Sequence, residues 1–351
     1  MKENTIRPVR VLIVDDSALV RKVLADGFAG DGGIEVVGQA GNPYQARDLL
    51  VELKPDVITL DVEMPRMDGV TFLRHFMPIM PTPTVMISSL TKSGKKITLD
   101  ALEAGAVDIV AKPTVGLVDG LPAMLDEICR RVKAAAFVDV SRFARSTPLP
   151  IEHVSALDET TDQLIAIGAS TGGVQALNRI MPAFPAENAA IVIVQHMPAG
   201  VTSSFAERLN GISAMRVREA AHGDRLMNGL ALVAPGGQRH MTVIRSGGEY
   251  RVALQDGPEV NYSRPAVDVL FSSVAKAAGR NAAAAVLTGM GRDGAAGLLA
   301  IRNAGGRTMV QDEATSIVYG MPKAANDVGG AEVVAPLEKI PALLARATRR
   351  G

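Results

Sequence analysis

The chain has 351 residues, 47% of them hydrophobic, with 37 Lys plus Arg against 37 Asp plus Glu and a single cysteine. That length exceeds one ordinary core, so two domains are expected, and the balanced charge, with no basic tail or aromatic-interleaved patch, argues against a nucleic-acid binder. Cys129, alone in a helical apolar pattern, excludes an internal disulfide framework and a cysteine zinc site. Met1 to Arg10 is polar, and no apolar run reaches the roughly 18 residues that a membrane span needs. The expectation is a cytoplasmic protein without a membrane span.

The first part alternates short apolar strands with amphipathic helices. Strands are predicted at Val9–Val14, Ile34–Ala40, Val57–Leu60, Val85–Ile87 and Ile109–Ala111. Helices are predicted at Ser17–Phe28, Tyr44–Leu53, Val70–Phe76 and Ile97–Ala104, and then where Leu121, Met124, Leu125, Ile128 and Val132 recur at helical spacing. This alternation implies an α/β doubly wound parallel sheet whose ligand site lies at the carboxyl ends of the strands. Asp15 and Asp16 end the first strand, Asp61 the third, Ser88 follows the fourth and Lys112 the fifth. Three carboxylates on one rim repel one another unless a hard divalent cation sits among them, and oxygen ligands suit Mg2+. A lysine and a hydroxyl beside them suit a phosphoryl group carried on a carboxylate. Any one of these acids alone reads better as a helix N-cap or a solvated loop charge; it is their convergence on one rim that points to the site.

V-D-D at Val14–Asp16, D-V-E-M-P at Asp61–Pro65, Asp68-Gly69 and K-P at Lys112 resemble two-component receiver domains, with a flavodoxin-like fold of five parallel strands over residues 8–130. The resemblance implies Asp61 as phosphoacceptor and a histidine kinase as phosphodonor. It also implies Mg2+ held by Asp15, Asp16, Asp61 and the backbone carbonyl of Glu63, with Ser88 as switch hydroxyl and Lys112 as phosphate-sensing cation. Ile109 departs from the pattern, since many receivers carry there an aromatic that rotates on activation.

From about Lys133 apolar periodicity fades, and a polar connector with Pro148 and Pro150 follows. Residues 131–161 are read as an interdomain linker with a helical start, and 162–349 as a second domain. Its strands are predicted at Leu164–Ala169, Ala190–Val194, Ala283–Leu287, Thr308–Val310 and Glu332–Val334. Helices are predicted near Val174–Met181, Ser203–Leu209, Val267–Ala278, Ala295–Ala304 and Leu337–Ala345. Leu230–Val233, His240–Arg245 and Tyr250–Gln255 read as short strands joined by glycine-containing turns, an antiparallel ribbon appended to a mostly parallel sheet.

G-A-S-T-G-G at Gly168–Gly173 fits the G-x-S-x-G nucleophile elbow, in which small neighbours let a tight turn expose a serine hydroxyl. It also reads as a plain glycine-rich strand-to-helix turn. His196 follows the next strand and Asp293 the strand ending at Leu287, so Ser170, His196 and Asp293 meet on one sheet edge. There Ser170 would attack a carbonyl, His196 act as general base and Asp293 orient the imidazole. Both partners have plainer readings, as a loop histidine and a helix cap. Gly289, Gly291 and Gly294 also satisfy G-x-G-x-x-G, with Asp312 near the acidic position of a dinucleotide fold. The alternative is therefore a receiver-controlled dinucleotide-binding protein. Against it, Asp293 would set a negative charge beside the pyrophosphate. The order Ser, His, Asp differs from that of the α/β-hydrolases, so a different fold is expected.

Together, G-A-S-T-G-G, Q-H-M-P, Phe205–Leu209, Arg264–Phe271 and T-G-M-G-R-D-G resemble the chemotaxis receptor protein-glutamate methylesterases, and with the receiver the match spans nearly the whole chain. The resemblance implies hydrolysis of glutamate γ-methyl esters on the cytoplasmic part of transmembrane chemoreceptors, deamidation of receptor glutamines, and cover of the active site by the unphosphorylated receiver. Thr171 and Met290 match positions flanking the family's site, and backbone N–H groups near His196 or Met290 are oxyanion candidates. No cofactor is expected for the ester hydrolysis itself.

Overall fold

The computed structural model describes residues 7–89, 92–112, 124–140 and 163–348. The chain divides into two compact units, Met1–Ser146 and Thr147–Gly351.

In the first unit, β1 (Val9–Val14), β2 (Ile34–Ala40), β3 (Val57–Asp61), β4 (Thr84–Ser89) and β5 (Asp108–Lys112) form one parallel sheet in the order β2-β1-β3-β4-β5. Val11 to Val14 and Val57 to Leu60 are buried, as strands covered on both faces must be. The helices are α1 (Ala18–Ala29), α2 (Pro43–Leu53), α3 (Gly69–Phe76), α4 (Lys92–Glu103) and α5 (Leu125–Ala135). Ser17, Asn42 and Asp68 cap the first three, each accepting an N–H of the first turn. The sheet order reverses direction at β1 and β3, the crevice where ligands of such sheets bind. Cys129 is buried in α5 as a core residue. Helix α5 continues to Ala135, so the first residues of the expected linker are helical; residues 141–161 lie outside the described ones.

In the second unit, seven parallel strands run in the order β14-β13-β12-β6-β7-β9-β8. They are β6 (Leu164–Ala169), β7 (Ala190–Gln195), β8 (Arg216–Glu219), β9 (Leu230–Val233), β12 (Ala282–Val286), β13 (Arg307–Gln311) and β14 (Val333–Ala335). A separate antiparallel pair joins β10 (Arg239–Ser246) to β11 (Glu249–Asp256). The helices are α6 (Gly173–Ile180), α7 (Val201–Ile212), α8 (Val267–Ala278), α9 (Ala295–Asn303), α10 (Met321–Asp327) and α11 (Ile340–Ala347). The expected ribbon needs correcting in one member. Leu230–Val233 is not antiparallel but pairs in parallel with β7 and β8, and all four of its residues are buried in the main sheet.

β6 is central, with β7 on one side and β12 on the other, so the strand order turns there. β12 is four alanines and a valine, all buried, and the apolar face of α8 (Val267, Leu270, Phe271, Val274) joins it in the core. The start of α8 sits directly over the end of β6: a Cβ at Gly168 would lie 2.3 Å from Val267 Cγ1. Gly168 is thus required by packing, independently of any turn.

Candidate active site

Ser170 is the first residue past β6. The turn behind it passes through Gly172 at φ 79°, a left-handed conformation that favours glycine, and enters α6. The backbone of Ser170 is tied on three sides. Its N–H donates to the Thr288 carbonyl (3.1 Å), and its carbonyl accepts from Gly173 N–H (2.8 Å) and from Gln195 Nε2 (2.9 Å). The half-buried residue keeps a hydroxyl with no hydrogen-bond partner among the described residues.

His196 is the first residue past β7, and its backbone N–H donates to the Ala169 carbonyl at 3.1 Å, continuing the β6–β7 ladder. The imidazole and the serine therefore stand at the ends of adjacent strands, with no direct hydrogen bond between them. The imidazole Nε2 lies 2.8 Å from Asp293 Oδ2, in the loop after β12. Asp293 is 2% exposed and fully engaged. Oδ2 also accepts Val267 N–H (2.7 Å), while Oδ1 accepts Asp268 N–H (2.9 Å), Gly294 N–H (3.0 Å) and Asn261 Nδ2 (3.4 Å). Two of these donors are the first N–H groups of α8, where the helix dipole favours an anion. Burial pushes the Asp293 carboxyl up, but the His196 hydrogen bond and charge and the α8 N–H groups outweigh it and hold it below the usual carboxylate range. The neighbouring Asp268 is raised instead, first by burial and then, against the Gly297 N–H, by the charge of Asp293.

An ionised carboxylate only accepts, which assigns the imidazole proton to Nε2 and leaves the lone pair on Nδ1. The nitrogen available to a nucleophile is therefore Nδ1, and Ser263 Oγ lies 3.4 Å from it. The backbone N–H of His196 itself is already used by the strand ladder. The N–H groups of Thr171 and Met290 have no acceptor among the described residues. Thr171 is fixed by the Thr288 hydroxyl, which donates to its carbonyl at 2.9 Å. Gly289 presses against Ser170, where a Cβ would lie 2.9 Å from Ser170 Cβ.

In the first unit, Asp15 and Asp61 are buried and Asp16 is exposed, and one carboxylate oxygen of each lies within 4.8 Å of the others. Lys112 Nζ bridges Asp15 Oδ2 (2.8 Å) and Asp61 Oδ1 (2.9 Å). Burial pushes Asp61 up to about 6, with Lys112 opposing and the charge of Asp15 adding. Lys112 is raised: its burial is outweighed by Asp61 and Asp15. Ser88, the fifth residue of β4, is fully buried, and Ile109 lies in the core. An all-oxygen donor set fits a hard divalent ion.

Residues 165–344 match the CheB methylesterase model, and residues 11–118 match the response regulator receiver domain. The chain belongs to the CheB methylesterase family. A protein-glutamate methylesterase/protein-glutamine glutaminase of Syntrophotalea carbinolica is 56% identical over 95% of this chain and 96% of its own length. One from Pseudomonas aeruginosa is 52% identical over 98% of each chain. The crystal structure of the Thermotoga maritima CheB methylesterase catalytic domain aligns with 55% of this chain and 99% of its own, with TM-score 0.51 and 36% identity.

His240 is a satisfied core histidine: Nε2 lies 2.8 Å from the Pro258 carbonyl and Nδ1 accepts Ala266 N–H at 3.1 Å. His222 Nδ1 accepts Leu254 N–H. The G-x-G-x-x-G loop turns its Asp293 toward His196 and α8, and Asp312 accepts the N–H and hydroxyl of Thr315, so the dinucleotide reading gains no support. Four contributors escaped the sequence reading: Gln195, which links the Ser170 and His196 carbonyls, Asn261, Ser263 and Asp268. Gln195 and Asp268 stand inside motifs quoted from the sequence, and that adjacency was the available signal. Asn261 and Ser263 carried none.

Proposed function

We propose that the chain is a phosphorylation-controlled serine esterase that hydrolyses glutamate γ-methyl esters on the cytoplasmic part of chemoreceptors and deamidates receptor glutamines. Residues 162–349 form the catalytic domain, 8–130 the receiver, and 131–161 the linker. The observation that carries the reading is the 2.8 Å contact between His196 Nε2 and a pinned Asp293, which leaves Nδ1 as the base on the strand end next to that of Ser170. Ser170 Oγ attacks the γ-carbonyl carbon as its proton passes to Nδ1, and Asp293 stabilises the imidazolium so formed. The Thr171 and Met290 N–H groups, without another acceptor among the described residues, would receive the developing oxyanion. Collapse expels methoxide, which takes the proton from Nδ1 and leaves as methanol. Water then gives its proton to Nδ1 and attacks the acyl-serine, and glutamate departs as Ser170 recovers its proton. With a glutamine side chain, the same sequence releases ammonia.

In the receiver, Asp61 takes a phosphoryl group from a histidine kinase. Asp15, Asp16, Asp61 and the Glu63 carbonyl would hold Mg2+, which supplies positive charge for the phosphoryl oxygens when bound. Lys112 already spans two of these carboxylates and sits where an Asp61 phosphoryl group would meet it. Ser88 supplies the hydroxyl that would follow the phosphate, and this change at the receiver supplies the control.

Ser170→Ala in the full chain should abolish methanol release from methylated receptor membranes while Asp61 still accepts phosphate. Undiminished release would overturn the nucleophile. A receiver fused to a non-catalytic binding module predicts instead that an ester-reactive phosphonate leaves Ser170 unlabelled.

A further inference from the structure

The mechanism above fixes His196 at one nitrogen only. A ring held at Nε2 by Asp293 can still pivot about that bond, and Nδ1 must face Ser170 within hydrogen-bond reach to take its proton. The second contact on the ring comes from the turn between β11 and α8. Val260 and Ser263 exchange both backbone hydrogen bonds (3.2 and 3.0 Å), and the two residues between them, Asn261 and Tyr262, have φ of 51° and 59°. Both central residues in the left-handed region are the requirement of a type I′ turn. Asparagine tolerates this conformation, whereas a tyrosine there is uncommon and costs free energy that surrounding structure must offset.

That offset is visible on both sides of the turn. Asn261 Nδ2 donates to Asp268 Oδ2 (2.8 Å) and reaches Asp293 Oδ1 (3.4 Å). After the turn, the Arg264 guanidinium donates to the Gly257 carbonyl (2.7 Å) and the Gly237 carbonyl (3.2 Å). Tyr262 itself is 77% exposed. What the turn accomplishes is placement: one end meets the carboxylate pair, and the other sets Ser263 Oγ 3.4 Å from His196 Nδ1. We propose that Ser263 is a positioning residue that fixes the plane of the His196 ring through Nδ1. At this length the contact is weak enough to yield the lone pair to Ser170 and sufficient to restrain the pivot.

The proposal rests on the Ser170–His196–Asp293 reading, and its test separates the two. In the full chain, Ser263→Ala should lower kcat for methanol release about tenfold with KM unchanged, since misorientation acts on the reacting geometry and not on substrate binding. The rate at which a phosphonate ester labels Ser170, read by peptide mass spectrometry, should fall by the same factor. Ser263→Thr, which keeps a hydroxyl, should restore both. The urea midpoint of Ser263→Ala should equal that of the wild type. Unchanged or raised kcat in Ser263→Ala overturns the proposal and leaves the triad intact, a rise meaning that the hydroxyl competes for the lone pair. A lowered midpoint without rescue by threonine overturns it in favour of a purely structural role. Labelling at Ser263 with Ser170→Ala still active overturns the triad reading as well.

Discussion

Asp293→Asn keeps the shape of the site and changes one atom from acceptor to donor, and the contacts decide where the new NH2 goes. Placed at Oδ1, it would face Asp268 N–H, Gly294 N–H and Asn261 Nδ2, three donors. Placed at Oδ2, it faces Val267 N–H and His196 Nε2. The second choice strands one backbone N–H, because the imidazole can answer by moving its proton to Nδ1 and accepting at Nε2. An unsatisfied buried donor costs about 1–3 kcal/mol, so the variant folds with a lowered urea midpoint, given the 5–15 kcal/mol typical of domains. Catalysis suffers more. With its proton on Nδ1 the ring presents no lone pair to Ser170, and the equivalent acid-to-amide change in a Ser-His-Asp triad costs about 10⁴ in kcat. Methanol release from methylated receptor membranes, followed with the urea midpoint on the same preparations, gives both numbers. A kcat within about tenfold of the wild type would refute both the tautomer argument and the role of Asp293.

Gly289→Ala places a Cβ 2.3 Å from Met321 Sδ and 2.9 Å from Ser170 Cβ. The methionine end can move, whereas Ser170 is held at both its N–H and its carbonyl, so kcat should drop about tenfold or more for a stability cost of roughly 1–3 kcal/mol; wild-type kcat would contradict this. Asp61→Asn should take up no acid-labile phosphate from radiolabelled acetyl phosphate while Ser170 still reacts with a phosphonate, and persistent labelling would move the acceptor elsewhere. Burial, and next the charge of Asp31, push the Cys129 thiol up from 9.0 to about 11. The folded chain therefore holds this proton where the unfolded chain has released it, and stability falls as pH rises from about 9 toward 11. Urea midpoints of wild type and Cys129→Ala between pH 7 and 11 should diverge only above pH 9; parallel curves would show that the thiol does not contribute.

The grouping of Ser170, His196 and Asp293 was legible because a parallel sheet converts sequence into position: a residue just past a buried apolar run lies at the carboxyl end, so the three could be placed together without knowing the strand order. The rule reached its limit where a strand is short or polar. Arg216–Glu219 carries one apolar residue and was missed, and Leu230–Val233, four apolar residues between turns, offered no alternation to separate a buried parallel strand from a ribbon. Which backbone N–H groups are free was illegible for a different reason, since that depends on the ladder beyond the motif. The His196 N–H, for one, is taken by the Ala169 carbonyl. The deepest omission is the choice of nitrogen. A sequence can pair a histidine with an aspartate but cannot say which ring atom is left over. That follows from α8, whose Val267 and Asp268 N–H groups fix the Asp293 carboxylate and so decide which nitrogen it takes. Gly168 belongs to the same construction, because its missing side chain is what admits Val267 over the end of β6. The glycine that reads as part of a serine turn thus serves first to bring the helix that holds the acid, and through it the base, to the serine's strand.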